Sequence, residues 1–79
     1  MKVIVKYFAI YKEMTGTHEE AIDLERGKSI NELLDIIIKK YNLKNQDNML
    51  VSLNHDYIKK DVKLKDGDEV AIMVPTSGG

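Results

Sequence analysis

The chain has 79 residues, enough for one small domain near the lower limit at which a single hydrophobic core is stable without disulfides or metals. It has no cysteine, which excludes disulfides, thiolate metal ligands and a cysteine nucleophile, and its 43% hydrophobic and 32% charged residues are typical of a folded domain. A net charge of −1 argues against nucleic-acid binding, and the apolar runs are too short to span a membrane, so we expect a cytoplasmic protein.

The first third of the chain predicts a strand, a helical turn and a second strand. Residues 2–8 have the period-2 pattern of a strand with one face on a core, and on this phase Phe8 points away from the core. Residues 9–14 are good helix formers that end at Thr15-Gly16, which predicts a single helical turn capped by Gly16. Residues 18–24 mix apolar with acidic side chains, which predicts a second strand paired to the first at an edge of the sheet.

The main helix has the clearest local signal. Ser29 followed by Glu32 forms a capping box, and Gly27 before it lets the chain turn. The apolar residues that follow recur at helical spacing on one stripe: Ile30, Leu33, Leu34, Ile37 and Tyr41. Ile36 falls on the outer face. We interpret the stripe as the face that packs on the core, without a functional role.

The second half predicts short strands joined by turns. In order, these are a loop at 42–48, a strand at 49–53, a turn at 54–56, a short strand at 57–58, a basic connection at 59–65, a turn at 66–68 and a final strand at 69–74. Leu64 is expected to fill the core from the connection. Met73 is expected to point away from the core, and Pro75 ends the hydrogen bonding of the final strand.

The order of these elements predicts an α+β fold of the β-grasp type. First and last strands lying side by side at the centre would be parallel because of the intervening crossover, and one main helix would cover one face of the mixed sheet. We assign residues 1–75 to this domain and residues 76–79 to a flexible tail.

The domain itself offers little chemistry. His18 and His55 lack partners at a metal-binding spacing, so no metal site is expected, and the isolated glycines form no phosphate-binding loop. The acidic run and the basic run are interpreted as solvated faces that could tune docking. These runs are Glu19, Glu20, Asp23 and Glu25, and Lys59, Lys60, Lys63 and Lys65. The domain alone is not expected to be an enzyme.

The last residues, Pro75-Thr76-Ser77-Gly78-Gly79, are the candidate working part. Two glycines without Cβ atoms make a thin tip that fits a narrow channel. Its reactive group would be the α-carboxylate of Gly79, which an ATP-using partner could convert to an acyl-adenylate and then to an ester, an isopeptide or a thiocarboxylate. A frayed chain end or an expression scar is the alternative interpretation.

A second candidate feature is an outward apolar set. Phe8 and Met73 would sit together on the helix-free face if their strands are neighbours, and Tyr57 could join them. These three residues predict a partner surface. The alternative is that scattered exposed apolar residues are normal on folded proteins.

The chain resembles the molybdopterin synthase small subunit family, which comprises ubiquitin-like sulfur carriers. The resemblance covers nearly the whole chain through VKYFA at 5–9, EMTG at 13–16, SINELL at 29–34, VSLN at 51–54, LKDGDEVA at 64–71 and the Gly-Gly end. The DGDEV stretch is similar in thiamine-pathway sulfur carriers, whereas Phe8-Ala9 with Thr15-Gly16 is the more specific part. Val74 departs from a family tail that often opens with two prolines.

The resemblance implies a function for the tail. The Gly79 carboxylate would be adenylated by an activating enzyme that uses ATP and converted to a thiocarboxylate. The tail would then enter the active site of the large subunit of molybdopterin synthase and donate sulfur to a cyclic pyranopterin precursor, building the dithiolene that holds molybdenum or tungsten. Gly78 would allow the close approach, and Pro75, Thr76 and Ser77 would join the outward apolar set in partner binding.

Several alternatives accompany this hypothesis. The chain itself is expected to bind no cofactor and to be the non-catalytic subunit of the enzyme. Within the carrier class, the sulfur could serve thiamine or another thio-cofactor. Outside it, Gly79 could be joined to lysines of other proteins as a protein modifier, or the domain could be a non-covalent binding module.

Overall fold

A computed structural model describes residues 1–43 and 49–75 of the chain. Within these residues the strands are β1 (Lys2–Tyr7), β2 (Glu19–Asp23), β3 (Leu50–Leu53), β4 (Asp56–Tyr57) and β5 (Glu69–Met73). The helices are α1 (Ile10–Thr15) and α2 (Ile30–Tyr41). The elements fall where the sequence pattern predicts them, with shifts of one residue at several strand ends. Part of the predicted loop at 42–48 lies outside the described residues.

The strands form one mixed sheet in the order β2-β1-β5-β3-β4. The central strands β1 and β5 are parallel, with Val5 opposite Val70 and Tyr7 opposite Ile72, and the other neighbouring pairs are antiparallel. The parallel pair requires a crossover, which contains α2. This topology confirms the predicted β-grasp fold.

Helix α2 begins and ends at the residues that its capping signals indicate. The Glu32 amide donates to Ser29 Oγ at 3.3 Å, and the Ser29 amide donates to Glu32 Oε1 at 3.1 Å, which completes the capping box. The helix ends at Tyr41, and Asn42 caps it with a left-handed backbone of φ 52°. These caps satisfy backbone groups that would otherwise lack partners and fix the length of the helix.

The core lies between α2 and one face of the sheet. The predicted stripe of α2 points inward, whereas Ile36 is 40% exposed on the outer face, as expected. Leu64 is buried as predicted. Its amide donates to the Lys28 carbonyl at 2.9 Å, which ties the basic connection to the turn before α2. The most deeply buried side chains are Val3, Val5, Tyr7, Tyr11, Ile30, Leu33, Ile37, Val70 and Ile72.

Glu20 departs from the interpretation of the acidic run as a solvated face. It lies opposite Val5 in the β1–β2 pair, so it shares the core side of the sheet, and its side chain is partly buried. Glu20 Oε2 accepts hydrogen bonds from the hydroxyls of Tyr7 and Tyr41, both at 2.6 Å, and Oε1 accepts from Lys40 Nζ at 2.8 Å. We call these four residues the Glu20 cluster. It fastens the end of α2 to the edge strand β2.

Candidate docking surface and tail

The predicted outward apolar residues meet on the helix-free face of the sheet. Phe8 and Met73 directly follow the opposed pair Tyr7 and Ile72 at the same end of the two central strands. Tyr57 pairs with Ser52 on β3 and therefore reaches the same face. Phe8 is 47% and Tyr57 is 64% exposed, and all three residues line one shallow hollow of about 220 Å³. We call Phe8, Tyr57 and Met73 the sheet-face patch.

Small side chains form the floor of this hollow. Lys6, Ala71 and Ser52 lie side by side across β1, β5 and β3. Ala71 faces the helix-free side, but it is buried, as is Ser52. The larger members of the sheet-face patch therefore stand around a low floor, a shape that can accept a protruding apolar side chain of a partner.

Charged groups border the hollow on one side. Glu69 lies between Lys6 and His55, with both nitrogen-to-oxygen distances at 3.5 Å. The backbone at Asn54 and His55 has positive φ, as the predicted tight turn requires. The Asn54 side chain accepts from the Glu69 amide at 2.9 Å, which holds this turn against β5. Such a border can orient a partner that docks on the apolar residues.

A strained turn positions Phe8 and α1. Ala9 has φ of 51° and ψ of −124°, a conformation that L side chains rarely adopt and that glycine adopts easily. The Tyr11 amide donates to the Phe8 carbonyl at 3.1 Å and closes the turn, so that Phe8 is exposed and Tyr11 is buried. An alanine gives no sequence signal for this backbone, and the sequence therefore did not reveal the strain.

The tail begins at the same end of the sheet as Phe8 and α1. Strand β5 ends at Met73, and Val74 is partly buried while Pro75 is exposed. Because β1 and β5 are parallel, their carboxyl ends lie together. Thr76, Ser77, Gly78 and Gly79, on which the predicted chemistry depends, lie outside the described residues. Four residues span at most about 14 Å even when fully extended.

The described part of the chain contains no group of three or more histidine and acidic side chains arranged to hold a metal ion. Over the same residues, no helix has the length and apolar character needed to cross a membrane.

The sheet order, the parallel central strands and the single main helix define a ubiquitin-like β-grasp protein with exposed apolar residues beside the start of its tail. The chain belongs to the ThiS family, whose model matches residues 5–79. It is 37% identical to the molybdopterin synthase sulfur carrier subunit of Chlamydomonas reinhardtii over the whole of both chains. It is 34% identical to the subunit of the same name from Drosophila sechellia, over all of this chain and 92% of that one. The predicted family and the sulfur-carrier role are confirmed.

Solved structures agree with this assignment. A Pyrococcus furiosus protein described as molybdopterin converting factor, subunit 1, has a TM-score of 0.84 at 32% identity over 96% of this chain and 99% of that one. A chain from the complex of subunits 1 and 2 of the Helicobacter pylori molybdopterin-converting factor has a TM-score of 0.75 at 28% identity over all of both chains. The small archaeal modifier protein 1 of Methanosarcina acetivorans has a TM-score of 0.79 at 26% identity, over 99% of this chain and 96% of that one.

Proposed function

We propose that this chain carries sulfur as a thiocarboxylate on Gly79 and donates it to the cyclic pyranopterin precursor of the molybdenum or tungsten cofactor. The observation that carries the proposal is the Gly78-Gly79 end on a ThiS-family domain whose relatives along the full chain are molybdopterin synthase sulfur carrier subunits. Glycines at the tip leave the carbonyl carbon of Gly79 open to attack from most directions.

The chemistry at Gly79 takes place in two steps. An activating enzyme transfers the adenylyl group of ATP to the carboxylate and releases pyrophosphate, which makes the carbonyl carbon electrophilic and provides AMP as a leaving group. A donor of sulfide-level sulfur then displaces AMP and leaves the thiocarboxylate, whose sulfur is a nucleophile at neutral pH. Because this route needs ATP, we place it in the cytoplasm.

The second partner is the large subunit of molybdopterin synthase, on which we place the active site. The sheet-face patch would dock on that subunit while Pro75, Thr76 and Ser77 lead the glycines into its channel. The Helicobacter pylori complex of two subunits supports a partner of this kind. In this arrangement the small subunit supplies sulfur and binding surface, and the large subunit supplies the groups that act on the pterin.

Reconstitution with the large subunit tests the proposal. The chain is first converted to its thiocarboxylate by the activating enzyme, and dithiolene formation on the pyranopterin precursor is then measured. We expect no product from a chain lacking Gly79 or from one extended by a single residue, because neither presents the reactive carboxylate at the right distance. Substitution of the exposed Lys39 on α2 by Ala is the control and should leave product formation unchanged. Normal sulfur transfer by the extended chain would contradict the proposal.

Two alternative functions follow from the same tail. The likeness to the small archaeal modifier protein 1 favours a modifier role, in which Gly79 forms isopeptide bonds with lysines. Higher-mass species that carry this chain on lysine, and that disappear when Gly79 is deleted, would support it. Formation of the thiocarboxylate without dithiolene product in the presence of the large subunit would instead indicate another acceptor, such as the thiamine pathway.

A further inference from the structure

We propose that Ile10 and Met14 of α1 form a second docking surface, which contacts an apolar rim around the channel that receives the tail in the large subunit. This inference rests on the proposed function and adds residues that the sheet-face patch does not contain. We call Ile10 and Met14 the α1 pair.

The α1 pair is exposed and continuous. Ile10 is 46% and Met14 is 38% exposed, and their i, i+4 spacing places them side by side on one face of the helix. Three of the six exposed large apolar side chains in the described residues lie within residues 8–14, namely Phe8, Ile10 and Met14. The intervening Tyr11 is buried, so the exposure of the pair is not a consequence of a loosely packed helix. The exposed apolar surface is concentrated beside the start of the tail.

The position of α1 relative to the tail identifies the occupant. Helix α1 packs against the ends of β1 and β5, and the Phe8 amide donates to the Ile72 carbonyl at 3.1 Å, one residue before β5 ends. Four residues separate Pro75 from the reactive group, and they reach at most about 14 Å. An enzyme that encloses the tip must therefore approach the domain at this end. A six-residue helix is about 9 Å long, so α1 lies within the footprint of such an approach.

The backbone leading into α1 is consistent with this role. The turn at Ala9 holds a strained conformation of the kind that tends to persist at functional sites. This turn lies between Phe8 of the sheet-face patch and Ile10 of the α1 pair, and so connects the two surfaces. The α1 pair therefore continues the proposed interface around the end of the sheet and toward the tail.

The test compares a double variant with a matched control. In Ile10→Ser/Met14→Ser both apolar side chains become small and polar, and in Ile36→Ser an equally exposed isoleucine changes on the outer face of α2. Each full chain is converted to its thiocarboxylate, and KM and kcat for sulfur transfer are measured with the large subunit. We expect KM to rise by about tenfold or more for the double variant, as for loss of interface anchors, with kcat nearly unchanged and the control at the wild-type value.

Each stability or kinetic result for the α1 variants either supports or overturns the α1 docking surface. Thermal unfolding of the double variant should match the wild-type chain because both side chains are exposed, and the single variant Met14→Gln keeps the test available if the double variant unfolds. A wild-type KM for a folded variant would overturn the α1 surface while leaving the proposed function intact. A fall in kcat at constant KM would also overturn it, because docking would then not be the step affected. Failure of the wild-type chain to transfer sulfur would overturn the proposed function and this inference together.

Discussion

At the scale of single residues, the Glu20 cluster shows how one carboxylate holds two elements together. Burial by itself raises the pKa of the Glu20 carboxyl, but hydrogen bonds from Lys40, Tyr41 and Tyr7 outweigh it and hold that pKa below its usual range. Burial first, and the bond to Glu20 second, raise the pKa of the Tyr7 hydroxyl. The bond to Glu20 is the main reason why the pKa of Tyr41 is raised. The charged carboxylate and the two neutral hydroxyls are therefore the stabilising forms.

We predict that Glu20→Ala lowers the free energy of unfolding by roughly 2–3 kcal/mol at neutral pH, because two buried or half-buried hydroxyls lose a charged acceptor. Chemical denaturation monitored by circular dichroism measures this value. Glu19→Ala on the same strand is the control and should stay within about 0.5 kcal/mol of the wild-type chain.

The stability difference between the wild-type chain and Glu20→Ala is expected to depend on pH. Because the folded pKa of Glu20 is below the usual value of 4.5, its contribution is present above that pH and is lost as the pH falls through the folded pKa. Because the folded pKa values of Tyr7 and Tyr41 are raised, their contribution is present below pH 10.0 and is lost as the pH rises further. The difference between the wild-type chain and Glu20→Ala should therefore shrink at both extremes. A constant difference from acid to alkaline pH would show that the cluster does not titrate as described.

We predict that Ala9→Gly stabilises the domain by about 1 kcal/mol, because glycine adopts the observed φ and ψ without steric strain. Ala9→Val should destabilise it by more than 1 kcal/mol, since a β-branched residue at positive φ is a genuine outlier. Thermal and urea unfolding of the two variants measure both effects. Equal stability of the Gly and Val variants would mean that the turn is not held at positive φ.

At the scale of elements, the helix-free face of the sheet carries exposed apolar side chains that lie outside the core. We predict that Phe8→Ala weakens binding to the large subunit by about tenfold to a hundredfold, because an exposed aromatic anchor is lost from the sheet-face patch. The free energy of unfolding should change little, since Phe8 is half exposed. Isothermal titration measures the binding, and Ile36→Ala on the outer face of α2 is the matched control. A much lower free energy of unfolding with unchanged affinity would assign Phe8 to the core.

The regular elements could be predicted from the sequence because their signals are local. The alternation in β1 and the capping box of α2 come from period and hydrogen-bonding chemistry within a few residues. The inward position of Glu20 could not be predicted in this way, because it depends on the register of β2 against β1 and on Tyr41 arriving from α2. The strain at Ala9 also depends on tertiary context, since Tyr11 must reach the core while Phe8 stays outside.

The candidate docking surface was only partly predictable from the sequence. The meeting of Phe8, Tyr57 and Met73 followed from strand phase combined with the β-grasp order, and the structure brings them around one hollow. The exposure of the α1 pair could not be predicted from the sequence, because one helical turn has too few residues to show which face is exposed. The partner-binding roles of all these residues remain predictions.

At the scale of the whole molecule, the parallel central strands bring three features to one end of the domain. The sheet-face patch, the α1 pair and the start of the tail lie together because β1 and β5 end on the same side. Helix α2 and the Glu20 cluster lie on the opposite face of the sheet. A small β-grasp domain can in this way present a short reactive tail to an enzyme within a defined distance.

The intact mass of the chain tests the central claim most directly. The full chain is incubated with ATP, a sulfur donor and the activating enzyme, and its mass is compared with that of the untreated chain and of a chain lacking Gly79. The account predicts a mass gain equal to the replacement of one oxygen by sulfur, located by fragmentation at Gly79 and absent from the deletion variant. An unchanged mass, under conditions in which the same enzyme activates a known sulfur carrier, would contradict it.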